Sequence, residues 1–151
     1  MNIKTLGVDL GKHGVHIFGQ DTDGKKLIGK QLTNKQFAVF LCKILPCRVV
    51  FEACGGAHYW ARLAKKWGHD AVMIPAQFVK PFVKSNKNDM LDAEAICETG
   101  QRPNMRFANV RSEEQQSLGC LLKLRDGLIT ERTACINRGH AFLLEFGIPH
   151  Y

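Results

Sequence analysis

The sequence lacks three features that would assign it to common classes of protein. No apolar run approaches the ~18 residues that suggest a membrane span, and the first five residues lack the long apolar core of a signal peptide. None of the six cysteines forms a Cys-x-x-Cys pair, and no histidine nearby completes a set of zinc ligands. We therefore expect a cytoplasmic protein with no membrane partner, whose cysteines are free thiols and mostly small buried residues.

Negative charge is also scarce. The 151 residues include 21 Lys and Arg against 14 Asp and Glu, which gives a formal net charge of +7. The basic residues are spread along the chain, and an even positive field suits a polyanion such as DNA or RNA. A basic soluble protein of another kind has the same composition, so charge alone does not decide between them.

The hydrophobic pattern of the first 100 residues predicts an α/β fold. Strands are predicted at 3–9, 15–18, 25–32, 48–52 and 70–74, with helices after Thr33 and over 57–67. The order is β-β-β-α-β-α-β, which is typical of a mixed sheet with flanking helices. The basic stretch 77–88 is predicted as a short helix or ordered loop that leads into a further helix from Asp89.

The last segment predicts one long helix. It begins with a capping-box pattern at Ser112 and ends before Gly147. Apolar residues recur every seven positions in two adjacent columns, Leu121, Leu128, Cys135, Phe142 and Leu122, Ile129, Ile136, Leu143. Such a helix is about 50 Å long unless it bends near Gly127 or Gly139. We favour the start of a coiled-coil arm over a helix folded onto the core, with residues 1–110 as one domain and 111–151 as the arm.

Four acidic residues stand out as candidate metal ligands. Asp9 and Glu52 each follow a predicted apolar strand, and Asp89 and Asp92 share one face of a helix. Like charges held this close repel each other, so a fold keeps such a pair cheaply only on a solvated face, or usefully around a divalent cation such as magnesium. Simpler interpretations exist for two of them, since Asp9 suits a turn and Asp89 suits a helix N-cap.

Several segments resemble the DEDD transposases of the insertion-sequence 110 group and the Piv-type invertases. The resemblance rests on 7–12 (GVDLGK), 51–55 (FEACG), 86–96 (NKNDMLDAEAI), 102–107 (RPNMRF), 112–116 (SEEQQ), 132–133 (RT) and 144–147 (LEFG). It implies the RuvC branch of the RNase H-like fold, in which the first and fourth strands are neighbours. It covers nearly the whole chain, in order.

The resemblance also implies a function. Asp9, Glu52, Asp89 and Asp92 would be the catalytic tetrad that holds two Mg²⁺ ions at a DNA phosphate, with Mn²⁺ able to substitute. Members of that family are about twice this length, so we expect the N-terminal catalytic domain of a transposase, from a truncated gene or an excised fragment, inactive without the second half. The expected partner is DNA, with the need for a guide RNA left open, and a second copy of the chain is expected to bind through the arm.

Two other functions remain open at this point. The chain is also consistent with a defective remnant that only binds nucleic acid or pairs with a full-length transposase. A kinase of the actin-hexokinase type is a weaker alternative, because 9–12 is similar to the first phosphate loop of that fold but no second loop is visible. Four lysines are candidate phosphate contacts, namely Lys12, Lys80, Lys84 and Lys87. The histidines show no ligand spacing, and the sequence assigns them no chemistry.

Overall fold

A five-stranded mixed sheet forms the centre of the first of two compact units, Met1–Val110 and Arg111–Tyr151. A computed structural model describes residues 2–82 and 89–149. The strands are β1 (Thr5–Gly11), β2 (Gly14–Gln20), β3 (Lys26–Leu32), β4 (Arg48–Glu52) and β5 (Asp70–Ile74). The helices are α1 (Asn34–Lys43), α2 (Ala57–Lys66), α3 (Ala76–Val79), α4 (Asp89–Gly100) and α5 (Glu113–Glu145), with a 3-10 turn at Lys80–Phe82.

The strands lie in the order β3-β2-β1-β4-β5. Strands β1, β2 and β3 form an antiparallel meander, whereas β4 runs parallel to β1 and to β5. The prediction of an α/β fold with a mixed sheet and flanking helices is confirmed. The parallel pairing brings the carboxyl ends of β1, β4 and β5 to the same edge of the sheet.

One face of the sheet holds the main apolar core. Leu6 and Val8 of β1 lie on this face, and α1 and α2 cover it with Phe37, Leu41 and Trp60. Helix α1 begins with the predicted capping box, in which Thr33 and Gln36 exchange side-chain and backbone hydrogen bonds. Tyr59, one of the apolar residues of α2, is exposed and does not contribute to this core.

Helix α4 crosses the other face of the sheet and approaches it closely at Gly7. It packs against β1 and β2, where Phe18 contacts Ala93 and Cys97. A Cβ atom placed on Gly7 would lie 2.6 Å from the Cβ atom of Cys97, and closer still to the carbonyl oxygen of Ala93. Only glycine therefore lets α4 lie this near to β1, and this contact fixes the height of the helix above the sheet.

The predicted burial of the cysteines is wrong for four of the six, although all six are free thiols as predicted. Only Cys47 and Cys97 are buried, while the others are exposed: Cys42, Cys54, Cys120 and Cys135. A cysteine is small enough to lie on the solvent side of a helix or in a loop at little cost. Its frequency in protein cores therefore does not fix the environment of any single one.

Helix α5 forms most of the second unit. It is a single uninterrupted helix of 33 residues, and the predicted capping box at Ser112 and Gln115 is present. None of its residues is buried. Among the described residues, no helix combines the length and the apolar character that crossing a bilayer requires.

The structure describes only the beginning of the basic stretch 77–88. Helix α3 and the 3-10 turn account for residues up to Phe82. Residues 83–88, with the candidate phosphate contacts Lys84 and Lys87, lie outside the described residues.

Candidate metal centre

The parallel pair β1–β4 places two of the predicted acids at one edge of the sheet. Val8 is paired with Phe51, so that Asp9 and Glu52 are the next residues along the two neighbouring strands. Both side chains point to the face that α4 covers, because Asp9 alternates with Val8 and has the same orientation as Gly7. Two apolar strands therefore carry these carboxylates to a common position.

Helix α4 supplies the other two acids. It begins at Asp89, and Asp92 follows one turn later on the same side of the helix. The close contact at Gly7 sets this first turn over the carboxyl end of β1. Asp89 is 69% exposed, which leaves its carboxylate accessible to solvent.

Three of the four acids form a tight cluster. Asp9, Asp89 and Asp92 each offer a carboxylate oxygen, and these oxygens all lie within 4.8 Å of one another. Glu52 is not a member of this cluster, although its charge acts on the pKa of Asp9. The structure thus brings three of the predicted ligands together and leaves the fourth nearby.

The cluster changes the acidity of Asp9. The pKa of this carboxyl is raised from 3.8 to about 6, mainly by burial and further by the negative charges of Asp92, Asp89 and Glu52, while His16 opposes the rise. The pKa of Glu52 is also raised, mainly by burial and then by Asp92. Without a metal, burial and mutual repulsion thus destabilise the ionised carboxylates, and a bound cation would relieve this repulsion.

The two described lysines of the candidate nucleic-acid surface differ in their relation to this cluster. Lys80, in the 3-10 turn, is exposed and close enough to lower the pKa of Glu52. Lys12 is exposed in the turn between β1 and β2. A positive charge beside the carboxylates suits a site that must accept a phosphate as well as a cation.

One further residue at this site, His16, was not predicted as a site residue. Its Nδ1 atom lies 4.0 Å from Oδ2 of Asp9 and 3.8 Å from Oδ2 of Asp89. His16 is the residue directly opposite Asp9 in the antiparallel pair of β1 and β2. The register of this hairpin, which the short turn between Gly11 and Gly14 fixes, was the signal that would have found it.

The donor set fits a hard divalent cation. Carboxylate oxygens are the ligands that Mg²⁺, Ca²⁺ and Mn²⁺ prefer in proteins. The carboxylates of Asp9, Asp89 and Asp92 repel one another, and a buried nitrogen of His16 without a hydrogen-bond partner among the described residues faces two of them. This arrangement can hold a cation beside a solvent-accessible edge, where a polyanion has access.

Comparison with known proteins gives a consistent assignment. The family model for DEDD transposases of the IS110 type, described as "Transposase", matches residues 6–148. The chain is 48% identical to the transposase for insertion sequence element IS1328 of Yersinia enterocolitica, over 97% of the chain and 44% of that protein. It is 43% identical to a probable family 20 transposase of Pseudomonas aeruginosa, over 98% of the chain and 44% of that protein.

A third relative agrees with these two. The transposase for insertion sequence element IS1111A of Coxiella burnetii is 42% identical over 97% of the chain and 40% of its own length. The chain thus spans less than half the length of these curated relatives. Its mixed sheet is consistent with the RNase H-like, RuvC-type domain of DEDD enzymes. Because the family model covers nearly the whole sequence, the chain belongs to the IS110 family of DEDD transposases.

Proposed function

We propose that this chain carries the metal-dependent phosphoryl-transfer centre of a transposase, which cleaves and transfers DNA strands when an insertion sequence moves. The observation that carries the proposal is the convergence of Asp9, Asp89 and Asp92 within 4.8 Å at one edge of the sheet. The family match supports it and favours it over the kinase alternative.

Each member of the proposed tetrad has a distinct structural support. The sheet fixes Asp9 and Glu52, while α4 fixes Asp89 and Asp92. The four carboxylates would hold Mg²⁺, with Mn²⁺ able to replace it, and the bound ions supply activation of the attacking oxygen and stabilisation of the leaving oxygen. The carboxylates of Asp9 and Glu52 are partly buried, and the lower dielectric constant around them strengthens their attraction for a cation.

DNA is the proposed substrate. The net charge of +7 favours a polyanion, and Lys80 lies close enough to Glu52 to lower its pKa. We assign Lys80, together with Lys12 and the undescribed Lys84 and Lys87, to phosphate contacts on the DNA backbone. Such contacts orient the strand without reading its sequence.

A second candidate function follows from the length of the relatives. Because the chain spans less than half of each, a nucleic-acid-binding protein without cleavage activity is the alternative. In that case the chain would bind DNA, or pair with a longer transposase through α5, and the acidic cluster would bind a cation without turnover.

A nicking assay on supercoiled DNA tests the proposal and separates it from the alternative. The 151-residue chain is incubated with Mg²⁺ or Mn²⁺ and compared with Asp9→Asn and with the control Asp23→Asn, which alters an exposed turn acid outside the cluster. Nicking that requires the metal and Asp9, but not Asp23, supports the transposase centre.

A thermal-unfolding measurement with Mn²⁺ completes the design. If Mn²⁺ stabilises the wild type and Asp23→Asn but not Asp9→Asn, and no nicking occurs, the chain binds metal without cleaving alone. If Mn²⁺ stabilises all three proteins equally and no nicking occurs, the acidic cluster is not a metal centre and the proposal is wrong.

A further inference from the structure

The Nδ1 atom of His16 is buried against the acidic cluster and has no hydrogen-bond partner among the described residues. The side chain as a whole is only 12% exposed. Buried polar atoms in folded proteins are normally paired, so an unpaired one calls for an explanation such as an ion that completes the site.

The position of His16 is fixed by the sheet rather than by a flexible loop. Residues directly opposite each other in an antiparallel pair point to the same face, and His16 pairs with Asp9. On the other side, His16 pairs with Gln31 of β3, so that it lies on an interior strand. The imidazole is therefore held on the face where α4 brings Asp89.

The distances from His16 to Asp9 and Asp89 exclude a direct hydrogen bond but leave room for a shared cation. At 4.0 Å from Asp9 and 3.8 Å from Asp89, Nδ1 is too far away for a direct hydrogen bond. Ligands that bind one ion at about 2.1 Å lie roughly 3 Å apart when adjacent and about 4 Å apart when opposite. Both distances exceed the adjacent spacing by about 1 Å or less, so a small movement of these side chains around a bound cation would bring the three atoms to the spacing of shared ligands.

We propose that His16 is a ligand of the metal centre and binds the cation through Nδ1, together with Asp9 and Asp89. This inference rests on the proposed function, because it concerns the same metal centre. A nitrogen ligand favours transition metals over Mg²⁺, whereas carboxylates alone suit both. The centre is therefore a mixed nitrogen and oxygen site that takes Mn²⁺ in preference to Mg²⁺.

Pulsed electron paramagnetic resonance of the Mn²⁺-loaded chain tests the ligand directly. An imidazole nitrogen bound to Mn²⁺ gives a ¹⁴N modulation in the spin echo, and protein labelled only at histidine with ¹⁵N changes that signal. We expect a histidine-dependent modulation in the wild type. It should vanish in His16→Asn and persist in His13→Asn, a matched substitution in the exposed turn of the same hairpin.

Metal affinity gives a second, independent readout. We expect His16→Asn to weaken Mn²⁺ binding roughly tenfold or more, as loss of a supporting group at a metal site commonly does. The loss for Mg²⁺ should be smaller, and His13→Asn should change neither affinity. Circular dichroism verifies folding of each variant, and if His16→Asn does not fold, absence of histidine modulation in the labelled wild type still overturns the proposal.

Three results have different meanings. Absence of histidine modulation in a wild type whose Mn²⁺ binding requires Asp9 overturns the His16 proposal and leaves the metal centre intact. Equal losses of Mn²⁺ and Mg²⁺ affinity without modulation also overturn it and make His16 a positioning residue. Absence of any Asp9-dependent Mn²⁺ binding overturns the metal centre and the His16 proposal together.

Discussion

Helices α4 and α5 reach their stability in opposite ways. Helix α4 has 12 residues, and six of them are buried: Ala93, Ala95, Ile96, Cys97, Thr99 and Gly100. Helix α5 has 33 residues and buries none, although it carries many large apolar side chains, among them Leu121, Leu128, Ile129 and Phe142. Helical structure alone therefore says little about what a helix is for.

The two helices differ in the interactions that stabilise them. Small residues on α4 let its backbone approach the sheet, and tertiary contacts then hold Asp89 and Asp92 over β1. Helix α5 has its capping box and its length as local support, and an exposed apolar surface that is typical of an interaction site. We propose that α5 is the start of a coiled-coil arm and that residues 111–151 form a domain separate from a catalytic domain at 1–110.

The largest expected effect comes from adding one methyl group beneath α4. Gly7→Ala places a Cβ atom against Ala93 and Cys97, so that the helix or the strand must move. We expect the free energy of unfolding to fall by about 3 kcal/mol or more, at the upper end for overpacking. Chemical denaturation measures this, and Mn²⁺ binding should weaken in parallel because α4 carries two of the proposed ligands.

A Gly→Ala substitution in α5 should instead raise the free energy of unfolding. Gly127 lies inside the helix with open space around the position of a Cβ atom. Gly127→Ala should therefore stabilise the helix by about 1 kcal/mol. If Gly7→Ala is as stable as the wild type, close packing does not hold α4 in place and the comparison fails.

The second effect is a pH dependence of the stability of the first unit. Because the folded chain raises the pKa of Asp9 from 3.8 to about 6, the folded state binds this proton more tightly than the unfolded state. Asp9 thus contributes stability below pH 4, and this contribution is lost as the pH rises through about 6. The loss is at most about 3 kcal/mol, and less in practice because solvent screens a carboxylate that is 22% exposed.

Urea titrations of the metal-free chain between pH 4 and 7 measure this contribution. Asp9→Asn should show a flatter pH profile than the wild type, whereas Asp23→Asn should keep the wild-type slope. Saturating Mn²⁺ should raise the stability of the wild type above pH 6, since a cation removes the repulsion from Asp92 and Asp89. Equal profiles in the wild type and Asp9→Asn would exclude Asp9 as the source.

The sequence predicted the order of elements well because local signals determine it. Apolar runs, glycines and prolines mark the ends of strands, and the capping patterns at Thr33 and Ser112 gave correct helix starts. Asp9 and Glu52 were found because a charged residue directly after an apolar strand is unusual. In contrast, nothing local brings Asp89 next to Asp9, and this pairing came from the family resemblance.

The remaining errors have physical reasons. The burial of most cysteines was predicted from residue type, whereas tertiary packing decides which side chains face inward. His16 was assigned no role because metal-ligand spacing was sought along the chain. Its neighbour is across the hairpin, and pairing across strands becomes visible only with the register.

The third effect concerns association through α5. Leu128 is 57% exposed and belongs to one of the seven-residue columns. If that column binds a second copy, Leu128→Asn should weaken self-association by on the order of tenfold or more, because a buried leucine contributes about 1.5–3 kcal/mol. Light scattering measures it, with Glu131→Asn as the exposed control on the same helix. A wild type that stays monomeric at high concentration would contradict the arm.

The smallest effect decides which unit holds DNA. Binding of the chain to DNA is expected to be weak and independent of sequence, with dissociation constants of about 10⁻⁴–10⁻⁶ M. Lys80 lies near Glu52 in the first unit, whereas Lys123 is exposed on α5. Lys80→Ala should reduce the slope of log affinity against log salt by about 0.9, the value for one phosphate contact, and Lys123→Ala should leave it unchanged. Fluorescence anisotropy over a range of salt concentrations measures both slopes.

A slope that falls in Lys123→Ala but not in Lys80→Ala would assign the DNA contact to α5. A wild-type affinity that does not respond to salt would exclude phosphate contacts by either unit.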